Sequence, residues 1–422
     1  MTKKLPRDKR GPLVGIIFFL VLLFLIEAAS YLCPAKPDRL ERIRAVLRQD
    51  SQLFWRQRAH LNTVFEGAAV RTNRLGLRDE PVSKGGKKPV LRIVTLGASP
   101  TFGWGVEQND TYAQVLERIL RDTLNTEQVE VINAGQIGFS SYQGLKFFRE
   151  VILPLKPNMI TVSYVINDVD KYRFFRNHSA PDSQLKPQSG LLVAVENALE
   201  HSRFFRLYRK LVNGTKSASQ QFFGERGTGE YRESRRVSPE EYRANITALI
   251  DLAQQHGIDV VLVKMPVNLP LPVKVPESNV IRAKQTVTEA MVWAERGYRE
   301  EAIRLLQQAL AYNPNTPRAH YYLGQLYQRT GKRKQARKHF ERTVVLELYE
   351  CARLALEYHR VLDDIAAQRD VRLVDVVTAF DEYRRYGGDY LFLDPEHDTI
   401  HPNRTGHAVI GWAIYDEIFA RP

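Results

Sequence analysis

Five residues of this chain have the types and spacing for nucleophilic catalysis: Ser99, Gly138, Asn167, Asp398 and His401. Ser99 closes the tripeptide Gly97-Ala98-Ser99, Gly138 lies in the glycine-rich stretch from Ala134 to Ser140, and Asn167 precedes Asp168. Asp398 stands three residues before His401, which opens His401-Pro402-Asn403. A serine hydroxyl attacks a carbonyl carbon poorly near neutral pH unless a base takes its proton. His401 would be that base, and then the acid for the leaving group. Asp398 would hold the other ring nitrogen and stabilise the imidazolium. The oxyanion needs donors aimed at it, and the backbone N–H groups of Ser99 and Gly138 with the Asn167 side-chain amide would supply three. Such a set performs acyl transfer through an acyl-serine. Asp394 and His397 form a second, overlapping Asp-x-x-His pair.

These residues can meet only if the chain brings them to one place, and the hydrophobic pattern says how. Apolar runs at 90–96, 129–133, 159–165, 258–265 and 371–377 read as strands, and 112–124, 142–153, 238–256, 351–368 and 405–419 read as helices. Ser238-Pro239-Glu240-Glu241 opens one of them with a capping box and a first-turn proline. Alternation of this kind predicts a parallel sheet covered on both faces, with ligands at the carboxyl ends of the strands. Ser99, Gly138 and Asn167 each follow such an end. The loop before the closing helix can deliver the histidine.

With the blocks in that order, the chain resembles the SGNH (GDSL-type) hydrolases over about 90–175, 238–268 and 350–420. Gly97-Ala98-Ser99 matches the nucleophile block, Gly138 the glycine block, Asn167-Asp168 the asparagine block and Asp398-x-x-His401 the terminal block. The upstream Thr72-Asn73-Arg74-Leu75-Gly76-Leu77-Arg78 is similar to a segment preceding this domain in membrane-anchored bacterial members. Two positions depart from the pattern: Ala98 stands where an aspartate usually braces the nucleophile loop, and Val165 where the asparagine block usually has glycine. The resemblance favours Asp398 and His401 over Asp394 and His397. It implies a flavodoxin-like three-layer αβα fold and a serine esterase acting on O-acyl groups of a glycan or lipid, with no metal and no cofactor. The same site could pass the acyl group to a sugar hydroxyl of an extracellular polysaccharide. An inactive domain serving as a repeat-bearing scaffold is the non-enzymatic alternative.

Shifting the chain by 34 residues aligns Trp293 with Tyr327, Gly297 with Gly331, Ala302 with Ala336 and Leu306 with Phe340. This resembles a pair of tetratricopeptide repeats, helical hairpins that often dock a protein partner. Lys332, Arg333, Lys334, Arg337, Lys338 and Arg342 crowd the second repeat, as a solvated face or a docking patch.

Composition limits the remaining choices. Of 422 residues, 44% are hydrophobic and 26% charged, which is globular. Two cysteines exclude a disulfide framework and a cysteine-ligated zinc site. The net charge of +13 is partly local, since Lys3, Lys4, Arg7, Lys9 and Arg10 precede an apolar run, so nucleic acid is not indicated. That run, from Leu13 to about Cys33, is long enough for a single signal-anchor across a ~30 Å hydrocarbon core. The basic N-terminus would stay inside, placing the catalytic domain on the periplasmic or extracellular side of the inner membrane. The expected organisation begins with a basic tail (1–12), an anchor (13–33) and a basic juxtamembrane segment (34–88, helical over 34–60, with a linker at 82–89). The SGNH domain follows in three segments, 89–175, 237–275 and 349–422. A variable insertion (176–236, with a helical piece near 191–211) separates the first two, and the repeat insertion (276–348) separates the last two.

Overall fold

A computed structural model describes residues 10–32, 39–80, 91–169, 174–175, 180–209, 235–268, 280–346, 355–385, 390–394, 398 and 400–420, without the side chains of 10–16, 20, 39–40, 344–346 and 420. Residues 1–9 of the basic tail, the linker at 82–89, Cys33, Cys351 and His397 lie outside the described residues. The chain divides into two compact units, one of 1–55 and 187–227, the other of 56–186 and 228–422.

In the larger unit five strands form one parallel sheet: β1 (Leu91–Gly97), β2 (Val129–Asn133), β3 (Met159–Ser163), β4 (Asp259–Lys264) and β5 (Arg372–Asp375). Their order across the sheet is β2-β1-β3-β4-β5. The chain therefore leaves β1 for one neighbour, returns, and continues on the other side. That reversal opens a crevice at the carboxyl ends of β1 and β3, where Gly97 is paired with Ser163.

Both faces are covered, as near-continuous apolar strands require. On one side α1 (Tyr112–Leu124) and the closing helix α10 (Arg404–Tyr415) bury Leu116, Leu120, Ile410 and Ile414 against Ile93, Val131, Val261 and Val263. Further helices of this unit are α2 (Ser141–Phe147), α3 (Pro239–Gln255) and α8 (Ala355–Arg369). Here α3 packs on α2 and α8, and Tyr242 meets Tyr358 edge to face, 5.1 Å between ring centres. The predicted capping box of α3 is present, Ser238 Oγ accepting from Glu241 N–H and Glu241 from Ser238 N–H.

Between β4 and α8 lie four helices, α4 (Ile281–Glu295), α5 (Arg299–Tyr312), α6 (Pro317–Arg329) and α7 (Arg333–Leu346). They pack as two hairpins, α4 on α5 and α6 on α7. The 34-residue period has a physical source. Gly297 and Gly331 both take positive φ (87° and 75°), and the next residues, Tyr298 and Lys332, donate back to the carbonyls of Trp293 and Tyr327. The same left-handed helix stop thus occurs twice. At Gly324 the helices touch, since a Cβ there would lie 2.6 Å from the Phe340 ring.

Four expectations need correction. The helix expected over 34–60 is seen only at Arg39–Val46, and the chain then pairs two short strands, Leu47–Asp50 and Phe54–Gln57. Asp50 turns the chain between them by accepting from the N–H groups of Gln52 and Leu53. The strand expected over 371–377 stops at Asp375, whose carboxylate accepts from Thr378 N–H and starts a helix, α9 (Val376–Arg385). The helix expected over 142–153 is α-helical to Phe147, widens into a π turn at Phe148–Ile152 and then tightens into a 3-10 turn at Leu153–Leu155, around Pro154. The helical piece near 191–211 is Gly190–Leu199, followed by a further helical turn pair at 203–209.

In the smaller unit Arg10–Ser30 is one helix of 21 residues, with Phe18 and Phe24 about 70% exposed. Among the described residues no helix is long and apolar enough to cross a membrane.

Candidate active site

The nucleophile block is built by close approach. Gly97 ends β1 where a Cβ would lie 2.0 Å from Thr101 Oγ1 and 2.2 Å from Ser163 Oγ, so no larger residue fits. Thr101 and Ser163 hydrogen-bond to each other at 2.7 Å, tying the loop to β3. Ser99 then opens a single helical turn, Ser99–Phe102, with Pro100 in its first positions. A proline there sacrifices no bond, because the first amides of a helix have no partner within it.

Three of the predicted residues come together. His401 Nε2 lies 3.0 Å from Ser99 Oγ, and His401 Nδ1 lies 3.0 Å from Asp398 Oδ2. Asp398 Oδ1 accepts from the N–H groups of Ile400 and His401, at 2.9 and 2.8 Å. Burial alone would raise this carboxyl, but the bond from His401 and the two backbone donors outweigh it and hold it below the usual carboxylate value. Trp104 stacks on the His401 ring, 5.0 Å between centres and 18° from parallel. Asn268 donates to the Asp398 carbonyl at 3.0 Å. An antiparallel bridge between Phe392 and Pro402, with Leu393 N–H donating to His401 O, fixes the loop itself. Asp394 lies within this loop and Asp394 O accepts from Asp398 N–H, so its backbone shapes the acid's turn. His407, just behind, serves structure: Tyr112 N–H donates to its Nδ1, and burial pulls the ring down to about 3.

The oxyanion candidates are placed separately. Gly138 takes φ +76°, a left-handed conformation that suits glycine, and its carbonyl accepts from Arg236 Nη1 at 2.7 Å. Among the described residues no acceptor takes the N–H of Ser99 or of Gly138. Asn167 donates through Nδ2 to the Phe139 carbonyl at 3.2 Å, which links the asparagine and glycine blocks. That amide nitrogen carries two protons, so a second donor direction remains. Its neighbour Asp168 is fully buried and accepts from Ser141 N–H and Oγ, and burial pushes it up to about 7.

Four contributors were not legible as such in the sequence. Arg78, with no exposed surface, donates to the carbonyls of Phe102, Gly103 and Val106 that follow the nucleophile, and to Ala69. It braces the loop that follows Ser99. The Asp79 carboxylate accepts from Asn133 N–H at 2.7 Å, and burial pushes it up to about 7. Asp182 and Arg236 form an ion pair at 2.8 Å with almost no exposure, and this pair carries Ser140 as well as Gly138. The stretch 176–236, which gave no signal, thus supplies the support of the glycine block. Among the described residues no cluster of metal-ligating side chains occurs.

Residues 294–331 match the tetratricopeptide (TPR) repeat family. No curated protein matches the chain. Among solved structures, the chain is similar to LAE5, an alpha/beta hydrolase enzyme from the metagenome of Lake Arreo, Spain, at 15% identity over 78% of this chain and 95% of that one, TM-score 0.39. It is similar to Axe2, an acetylxylan esterase of Geobacillus stearothermophilus, at 14% identity over 79% and 95%, TM-score 0.39. A third is the lipase/acylhydrolase of Enterococcus faecalis, at 15% identity over 78% and 95%, TM-score 0.37.

Proposed function

We propose that the protein is a serine ester hydrolase of the SGNH type, acting on O-acyl groups of a glycan or lipid through an acyl-serine. The observation that carries this reading is the continuous line Ser99 Oγ, His401, Asp398, with both links at 3.0 Å. His401 takes the Ser99 proton as Oγ bonds to the acyl carbon, and returns it to the departing alkoxide. Water then enters by the same route in reverse and releases the acid. The amides of Ser99 and Gly138 and the Asn167 side chain are the donors assigned to the oxyanion. Their contribution is of the order of 2.7–4 kcal/mol for one donor.

The apolar run 13–33 of the sequence would hold the chain at the inner membrane, with the catalytic domain outside the cytoplasm, although no helix among the described residues is long and apolar enough to cross it. Support comes from the uncharged apolar run 13–26 behind five basic residues and from the exposed Phe18 and Phe24 in a helix of 21 residues. The repeats are the surface for a protein partner.

The test is ester hydrolysis by the full chain in detergent, on acetylated oligosaccharides with and without a sugar acceptor. Free acetate released at equal rate in both supports the hydrolase. Acetate appearing on the acceptor alone assigns an acyltransferase. No turnover of either kind, with a folded protein, refutes the enzymatic reading. Extraction of the full chain by alkaline carbonate would refute the anchor.

A further inference from the structure

A cavity of about 220 Å³ lies between the last repeat helix and α9, lined by Arg333, Arg337 and Phe340 on one side and by Phe380, Asp381 and Arg384 on the other. Some of the basic run in the second repeat is therefore turned inward, onto the sheet domain, and is not a solvated face. Three guanidinium groups face one carboxylate, and that carboxylate serves them poorly. Arg337 Nη1 is 3.7 Å and Arg384 Nη1 is 3.9 Å from the Asp381 oxygens, and Arg333 reaches only the Asp381 carbonyl, at 3.4 Å. A charge-assisted bond of this type is normally about 2.7–2.9 Å long. Arg337 does use its Nε on Glu341, at 3.0 Å, which leaves its Nη groups toward the cavity. The three side chains Arg337, Arg384 and Asp381 are partly exposed. Desolvation holds Arg384 below its usual value and pushes Asp381 up, whereas at Arg337 it is outweighed by Glu341, Asp381 and Asp375, which raise that group. Within the same molecule Arg236, with Asp182 at 2.8 Å, shows what a satisfied buried arginine looks like.

We propose that this cavity binds the carboxylate of a small organic acid, of the size and kind of an acidic sugar residue, through Arg333, Arg337 and Arg384. Forked guanidinium donors match a planar carboxylate. The Phe340 and Phe380 side chains and Val377 give an apolar wall for the body of the ligand, which an inorganic ion would not use. Asp381 leaves the lining with an excess of two positive charges, and its own charge disfavours a dianion. One lining residue also touches the loop that carries His401. Phe380 packs edge-on against Phe392, 5.7 Å between ring centres, and Phe392 bridges to Pro402.

The proposal does not depend on the esterase reading, and its test reads binding, not turnover. The full chain carrying Ser99→Ala, in detergent, is titrated calorimetrically with glucuronate, with glucose and phosphate as comparators. Glucuronate binds, glucose does not, and phosphate binds more weakly. Arg384→Met and Arg337→Met each weaken glucuronate at least about tenfold, whereas Lys334→Met, on the exposed side of the same helix, changes it less than twofold. Asp381→Asn tightens binding, since it removes the competing carboxylate; this variant keeps the test decisive if an arginine variant fails to fold. Absence of glucuronate binding at tens of millimolar, equal binding of glucose, or unchanged affinity in Arg384→Met and Asp381→Asn would overturn the proposal.

Discussion

Replacing Arg78 by methionine keeps most of the side chain's length and removes its donors. Four carbonyls then lose a charged partner: Phe102, Gly103, Val106 and Ala69. At about 1.5–3 kcal/mol for each bond to a charged group, the ceiling is roughly 6–12 kcal/mol. Removing a buried guanidinium relieves its desolvation, which offsets several kcal/mol of that loss. The expected net destabilisation is about 3–5 kcal/mol, a large share of a stability of about 5–15 kcal/mol. The loop released is the one that presents Ser99, and a displacement of about 1 Å can lower a rate about 100-fold. Arg78→Lys keeps the charge but replaces the fork by one ammonium, so it should fall between the two. The assay is urea unfolding of the full chain in detergent, paired with the rate at which a fluorophosphonate labels the folded fraction. A loss below about 1 kcal/mol together with unchanged labelling would refute the bracing role.

Three further outcomes follow from named contacts. Asp79 titrates near 7 folded and near 3.9 unfolded, so from about pH 4 to pH 7 the folded form holds a proton that the unfolded form has lost. The Asp79 contribution to stability therefore falls as pH rises through that window, by up to about 4 kcal/mol, and then levels. Asp168 adds to this slope and the buried His407, which only the unfolded chain protonates, opposes it, so the test is the difference between Asp79→Asn and the parent; stability curves for the two proteins that run parallel from pH 4 to 8 would contradict it. Gly324→Val forces branched carbons into the Phe340 ring and should cost about 1–3 kcal/mol by overpacking, read by thermal unfolding, while fluorophosphonate labelling stays within twofold. Asn167→Ala should lower turnover about 100- to 1000-fold with little change in unfolding midpoint, and a KM effect alone would remove Asn167 from the oxyanion site.

The sequence revealed most where local pattern and global role coincide. Mostly apolar runs marked β1 to β4, because strands covered on both faces need little polar alternation. The period of 34 was visible because glycines 297 and 331 must occupy the same left-handed helix stop. Ser99, Asp398 and His401 were legible because their types are rare in combination and each follows a predicted element. What stayed hidden was long-range. Arg78 acts on carbonyls 24 to 28 residues away, and nothing in its neighbours announces a buried arginine. Asp182 and Arg236 find each other across 54 residues of a stretch without periodicity. Helix α9 was missed because Val376 and Val377 extend the apolar run of β5, and only the side-chain cap from Asp375 to Thr378 decides against a longer strand.

The central claim is that Ser99 is a nucleophile activated by His401, and a fluorophosphonate tests it most directly. The full chain is exposed to the probe in detergent, digested, and the modified peptide identified by mass spectrometry. The account predicts a single adduct on Ser99, absent from Ser99→Ala and at least about 100-fold slower in His401→Ala. An adduct on another serine, or labelling of Ser99 that is unchanged when His401 is replaced in a folded protein, would contradict it.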